Sequence, residues 1–243
     1  VMDPSDPRRL YTGGANLYRT TNGMSLWVSG GSVRSLSFSG SASLSAIAVA
    51  PMDANRGLIG MTDGTIIRTD RLLTLSAASP PSTATEKFAR PRTGQVSWLA
   101  FDPTNKDIVY ATNSTFNSSG NVGHVFRSID GGVTWANIDG TGTTGIPDIP
   151  VHCVVVDPSN TARLYVGTDL GVFVSNDGGA TWSVENTGFA NVVTEALVLN
   201  AVNGVTTLYA FTHGRGVYKV TANMSGCNYA ITPTSSFFSV AGG

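Results

Sequence analysis

The chain has 243 residues, a formal net charge of −1 at pH 7, and charged side chains at only 13% of positions, about half the usual share of roughly 25%. Its lysines are Lys87, Lys106 and Lys219, and its arginines are scattered, so the clustered basic surface that a nucleic-acid partner needs is excluded. No apolar run reaches the length of a membrane span. Low charge with abundant Ser, Thr, Gly and Asn suits an exported protein, secreted or extracellular/periplasmic.

In chain order, Val1-Met2-Asp3-Pro4 matches the later Val155-Val156-Asp157-Pro158, so the chain opens near the end of an innermost strand, with strands predicted over 10–13 and 17–20. A second unit follows with strands over 46–51, 57–61 and 65–69. A third has strands over 98–103, 108–112, 125–128 and 134–138. The best copy has strands over 151–156, 164–168, 172–175 and 181–184. Its first strand is a near-continuous apolar run, as expected for a strand buried on both faces. Asp157-Pro158-Ser159-Asn160 then turns the chain, because Pro presets one dihedral and Asp and Asn cap their own backbone. A fifth unit has strands over 196–200, 207–211 and 216–220 and no clear outermost strand.

Four short antiparallel strands joined by tight turns make one propeller blade. Units of about 45–55 residues fall in the range of blade repeats. The expected fold is therefore all-β, a β-propeller of about five four-stranded blades over residues 1–223, the first incomplete. The five units either close by themselves or belong to a larger ring. The larger ring is favoured, because an exposed sheet edge is an aggregation hazard, and it implies a larger parent chain. Residues 224–243 read as a following stub. The run from Cys227-Asn228-Tyr229-Ala230-Ile231-Thr232-Pro233 to Gly243 resembles the opening of small β-sandwich modules in bacterial exported proteins.

One octapeptide occurs twice. Ser128-Ile129-Asp130-Gly131-Gly132-Val133-Thr134-Trp135 recurs as Ser175-Asn176-Asp177-Gly178-Gly179-Ala180-Thr181-Trp182, and a worn copy runs from Thr20 through Asn22 to Trp27. It resembles the Asp-box, or BNR, repeat of sialidases, sortilin-type receptors, xyloglucan-hydrolysing glucanases and photosystem assembly propellers. Ser128, Asp130, Gly132, Thr134 and Trp135 match that repeat, as do Ser175, Asp177, Gly179, Thr181 and Trp182, with Asn22 and Trp27 in the worn copy. The reading is structural. The Asp carboxylate accepts backbone N–H bonds across the hairpin, Gly takes a positive φ, and Trp tucks between blades.

Blade topology puts second-to-third turns and inter-blade links on one face, around the channel, and the octapeptides on the other. The binding-face candidates are Asn16, His124, His213, Arg215 and Glu195, with Asp63, Asp169, the loop 113–123, Arg34, Asp139, Asp148 and Asn191 on the same face. A sialidase is excluded by the missing arginine cluster and Arg-Ile-Pro signature. A xyloglucanase-like hydrolase needs two carboxylates across a cleft, about 5–10 Å apart. Asp63 and Asp169 are the candidate catalytic pair, although each sits in a turn that it can cap. No motif for nucleophilic, zinc or phosphate chemistry is present, so no cofactor and no metal are expected. The first functional expectation is a non-catalytic exported scaffold or binding propeller recognising a protein or polysaccharide ligand. The alternative is a fragment of a secreted glycoside hydrolase.

Overall fold

A computed structural model describes residues 1–32, 41–118, 120–185, 191–202 and 205–222. Arg34, Cys227 and the expected stub at 224–243 lie outside the described residues.

The molecule is a five-bladed β-propeller. The first blade holds β1 (Met2–Asp3), β2 (Asp6–Gly13), β3 (Asn16–Thr20) and β4 (Val28–Ser32). The second holds β5 (Leu44–Ala50), β6 (Asp53–Met61), β7 (Ile66–Thr69) and β8 (Lys87–Ala89). The third holds β9 (Val96–Phe101), β10 (Val109–Asn113), β11 (Val125–Ser128) and β12 (Ala136–Asn137). The fourth holds β13 (Val151–Val156), β14 (Leu164–Thr168), β15 (Gly171–Ser175) and β16 (Ser183–Val184). The fifth has three strands among the described residues, β17 (Thr194–Val202), β18 (Val205–Thr212) and β19 (Gly216–Ala222). Each sheet is an antiparallel meander in sequence order. No helix among the described residues is long and apolar enough to cross a membrane.

The turn between the two innermost strands is built the same way in three blades. Asp3 accepts hydrogen bonds from Ser5, Asp102 from Thr104 and Asp157 from Ser159, each through backbone N–H at 2.8 Å and side-chain hydroxyl at 2.6–2.7 Å. All three carboxylates are buried, so the turn supplies the partners that burial demands. The second blade lacks the octapeptide and still forms its outermost strand. It reaches β8 through an insertion pinned by Arg71, whose guanidinium bonds the buried Glu86 at 2.8 Å and the Pro80 carbonyl at 2.7 Å.

The core lies in four seams between consecutive blades. Tyr11 and Leu17 pack on Val49 and Ile59. Ala48 and Leu58 pack on Leu99 and Val109. Tyr110 and Val125 pack on Val154 and Phe173. Tyr165 and Val174 pack on Leu197 and Leu208. Each sheet is therefore buried on both broad faces except at the two ends. The outward face of the fifth blade leaves Val198, Phe211 and Val217 exposed, and the first blade leaves Tyr18 and Val28 exposed.

Close approach at the seams rests on glycine. A Cβ on Gly60 would stand 2.6 Å from Val96 Cγ1, and one on Gly167 2.6 Å from the Thr194 carbonyl oxygen. In both cases a second-strand glycine admits the first residue of the next blade's inner strand.

Candidate functional site

The two octapeptides form matching hairpin clasps. Ser128 Oγ donates to Asp130 Oδ1 at 2.7 Å and accepts from Gly132 N at 2.8 Å. Asp130 also takes the Thr134 N–H at 2.9 Å and its hydroxyl at 2.6 Å. Ser175, Asp177, Gly179 and Thr181 repeat this network at 2.8, 2.9, 2.9 and 2.6 Å. Both glycines of each string need positive φ: Gly131 and Gly132 at 74° and 93°, Gly178 and Gly179 at 73° and 95°. In the worn copy Asn22 Oδ1 keeps the bond from Leu26 N–H at 3.0 Å. The outermost strands begin just past the tryptophans, at Ala136 and Ser183, rather than at the threonines.

The inter-blade role expected for all three tryptophans holds for Trp182 and only partly for the others. Trp182 is buried in the third seam and donates Nε1–H to the Ile138 carbonyl of the preceding blade at 2.7 Å. Trp135 is half-buried and bonds its own hairpin, at Gly132 O. Trp27 is exposed, because each ring packs toward the preceding blade and none precedes the first blade among the described residues.

Every oxygen of the two clasp carboxylates serves its own hairpin. Hydrogen bonds from Thr181 and Ser175 hold the Asp177 carboxyl at about 2, against an ordinary 3.8. Burial alone would raise Asp130, but bonds from Thr134, Ser128 and Val133 hold it well below the usual carboxylate range. A depressed folded-state pKa gives stability that is present above the unfolded value and lost as pH falls through the folded one. Urea midpoints followed from pH 5 to pH 2 are therefore expected to fall less steeply in an Asp130→Asn, Asp177→Asn double variant than in the parent chain. Parallel slopes would remove the clasps from the acid response.

The opposite face carries the second-to-third turns. Asp63 accepts the Thr65 N–H at 3.0 Å and so caps its own turn. Asp169 accepts from His152 Nε2 at 2.7 Å instead. Counted from the inner strand, the two are offset by one residue. The second-blade turn carries Thr62, Asp63 and Gly64 between Met61 and Thr65, which share a backbone bond, whereas Asp169 and Leu170 lie between the paired Thr168 and Gly171. Asp169 thus matches Thr62. Glu195 and His213 are brought together, with Nδ1 and Oε1 2.9 Å apart, and Arg215 is exposed two residues on. Asn16 donates to the Tyr18 hydroxyl at 3.2 Å in the first blade.

His124 departs from its expected place on the binding face. It is fully buried, with its N–H 2.9 Å from Asp139 Oδ2, Nδ1 3.1 Å from the same oxygen, and Nε2 3.2 Å from Asp148 Oδ1. That last contact is within ion-pair reach but lacks hydrogen-bond alignment. The buried Arg92 guanidinium binds Thr115 Oγ1 and the Phe116 carbonyl, each at 3.0 Å, and Asp148 takes the Asn117 N–H at 2.7 Å. His124, Arg92 and the two carboxylates therefore fasten the long loop rather than present it. His152, inside the strand expected over 151–156, is not among the expected site residues. Its signal was a polar residue at the second position of an inner strand, repeated as Ser45, Ser97 and Glu195.

A groove of about 440 Å³ runs along the inner strands of the first three blades, lined by Met2, Tyr11, Ala46, Ala48, Trp98 and Phe101 among others. Trp98 is half-exposed there, and no carboxylate among the described residues lines the groove. No group of three or more metal-ligating side chains stands together among the described residues. Cys153 is a free, fully buried thiol, pushed up to about 12 by burial.

No protein-family model matches the chain. A xyloglucanase from Paenibacillus sp. is 37% identical over 109 residues, which cover 40% of this chain and 10% of that protein. The chain superposes on the crystal structure of a GH74 enzyme from Niastella koreensis with a TM-score of 0.65 and 19% identity, over 92% of this chain and 35% of that one. A GH74 xyloglucanase from Xanthomonas campestris gives 0.63 and 16%, over 91% and 35%. At such identities the two structures establish the propeller fold and nothing finer. The matched stretch spans about a tenth of the length of the curated relative, and the solved structures place the chain among β-propellers.

Proposed function

We propose that this chain is part of the propeller of a secreted glycoside hydrolase and that its channel-mouth face holds a polysaccharide of the xyloglucan kind. The observation that carries this reading is the 37% identity to a xyloglucanase. Trp98 in the inner-strand groove supports it, since an exposed indole beside a groove is a platform for a sugar ring. The clasp networks support assigning the octapeptides to the Asp-box repeat. The exposed Val198, Phe211 and Val217 on one end blade and Tyr18 and Val28 on the other support an arc within a larger ring, because those faces correspond to buried seams elsewhere. Residues 1–223 would then be propeller, with 224–243 opening a following module.

A second reading, the non-catalytic exported scaffold, draws support from the two candidate carboxylates. Asp63 is bonded to its own turn and Asp169 to His152. The two readings separate in one experiment. Calorimetric titration with xyloglucan oligosaccharides tests binding, and a reducing-sugar assay on xyloglucan tests hydrolysis in the parent chain, Asp63→Ala and Asp169→Ala. Binding is expected in the parent chain and in Asp63→Ala. Hydrolysis lost in both variants would reject the scaffold, and a folded chain that binds no neutral polysaccharide would reject the glycan reading.

A further inference from the structure

From the second blade onward, every inner strand carries a one-residue bulge at its second position. The ladder slips between Leu44 and Ala46, between Val96 and Trp98, between Val151 and Cys153, and between Thr194 and Ala196. The bulged residues are Ser45, Ser97, His152 and Glu195. A bulge re-aims a side chain out of the pleat, and such bulges gather at barrel rims and beside sites.

In the second and third blades this position stitches a seam. Ser45 Oγ donates to the Val96 carbonyl at 2.8 Å, and Ser97 Oγ to the Val151 carbonyl at 2.6 Å. Both acceptors are the first residue of the next inner strand. The fourth and fifth blades break the pattern together. His152 reaches Asp169 at 2.7 Å and Glu195 reaches His213 at 2.9 Å, each pairing with the first residue of its own blade's second-to-third turn. The turn residues are seated alike, Asp169 N–H on the Pro150 carbonyl at 3.3 Å and His213 N–H on the Val193 carbonyl at 2.9 Å. The same two positions thus hold the same pair of chemistries with their places exchanged. The blades are neighbours, and Gly167, two residues before Asp169, lies against Thr194, the residue before Glu195.

Folding gains little from the Glu195–His213 pair, whose side chains are 76% and 59% exposed, and the His152–Asp169 pair is only half-buried, at 24% and 35%. Two other blades fill the bulge with serine. Each pair ties up one imidazole nitrogen and one carboxylate oxygen, leaving the second nitrogen and second oxygen for a ligand. The spare carboxylate oxygens accept from hydroxyls and the spare imidazole nitrogens accept or donate according to tautomer, which suits the hydroxyls of a vicinal diol; the carboxylates disfavour a phosphate, and the four side chains form no metal-ligating group.

We propose that the rim of the fourth and fifth blades is a saccharide subsite, in which the His152–Asp169 and Glu195–His213 pairs each grip hydroxyls of one sugar residue. This rests on the polysaccharide reading above and names the residues that carry it out. The test is calorimetric titration of xyloglucan oligosaccharides into the parent chain, His152→Ala, His213→Ala, the double variant, and Glu195→Gln, which keeps the shape of its pair. Lys87→Ala, on an outermost strand, serves as control. Circular dichroism and thermal midpoints establish that each variant is folded. Each rim substitution is expected to weaken binding about tenfold and the double variant about a hundredfold, with Lys87→Ala unchanged. A parent chain that binds while the folded double variant and Glu195→Gln bind equally well would overturn the subsite and leave the polysaccharide reading standing. A parent chain that binds no neutral saccharide would overturn both.

Discussion

Replacing Trp182 by alanine is expected to lower the unfolding free energy by about 3–5 kcal/mol, the largest effect of any single substitution in a clasp. The ring is only 4% exposed and shares the third seam with Tyr110, Val154, Leu164 and Phe173. Removing it leaves a cavity between two rigid sheets that have little freedom to collapse. It also strips the Ile138 carbonyl of its 2.7 Å partner. The equivalent substitutions form an internal series. Trp135→Ala removes a half-buried ring bonded within its own hairpin, with an expected cost of about 1–3 kcal/mol, and Trp27→Ala removes a half-exposed ring outside the four seams at a cost of about 1 kcal/mol. Urea unfolding of the three variants measures the order. Equal losses at all three positions would mean that the string stabilises each hairpin locally and does not clamp blades.

Gly167→Ala is expected to destabilise by about 1–3 kcal/mol, against the usual gain from replacing a strand glycine. The added methyl would stand 2.6 Å from the Thr194 carbonyl oxygen and 2.8 Å from Cys153 Sγ, and the first of these is backbone that cannot swing aside. The fourth seam has to open, so hydrogen exchange should quicken most across β17–β19. Gly14→Ala is the matched control, since nothing lies within 4 Å of its Cβ, and it should be neutral or mildly stabilising. A Gly167→Ala protein as stable as Gly14→Ala would show that the seam yields without cost.

Most of the blade plan was legible in the chain because its determinants are local. The strands at 151–156 and 164–168 were read at their observed limits, since Val-rich runs bounded by Asp-Pro-Ser turns leave few alternatives. The clasp bonds were legible for the same reason, because Ser128, Asp130, Gly132 and Thr134 span a few residues and meet whatever surrounds them. Strand limits drifted in the fifth blade, where the expected strands stop at 200 and restart at 207. There β17 runs to Val202 and pairs it with Val205 of β18, an extension whose local signal is the Asn203-Gly204 dipeptide in the sequence. The octapeptide's absence hid β8 in the second blade, where Arg71 and Glu86 take over the task of returning the chain.

The candidate site was much less legible. His124 and His213 look alike in a list of loop histidines. One is buried between Asp139 and Asp148, and the other stands in solvent against Glu195. Asp63 and Asp169 both sit in short turns in the sequence, but the turns differ in length and Asp169 answers to His152 across the blade.

By itself the chain determined the repeating unit: where strands alternate with turns, and how each clasp satisfies its own donors within eight residues. Tertiary structure alone decided which tryptophan is sealed in a seam, which histidine meets which carboxylate, and which glycine must stay bare. Those outcomes depend on the distance between sheets and on a one-residue slip in ladder register, and both are set only when neighbouring blades pack together.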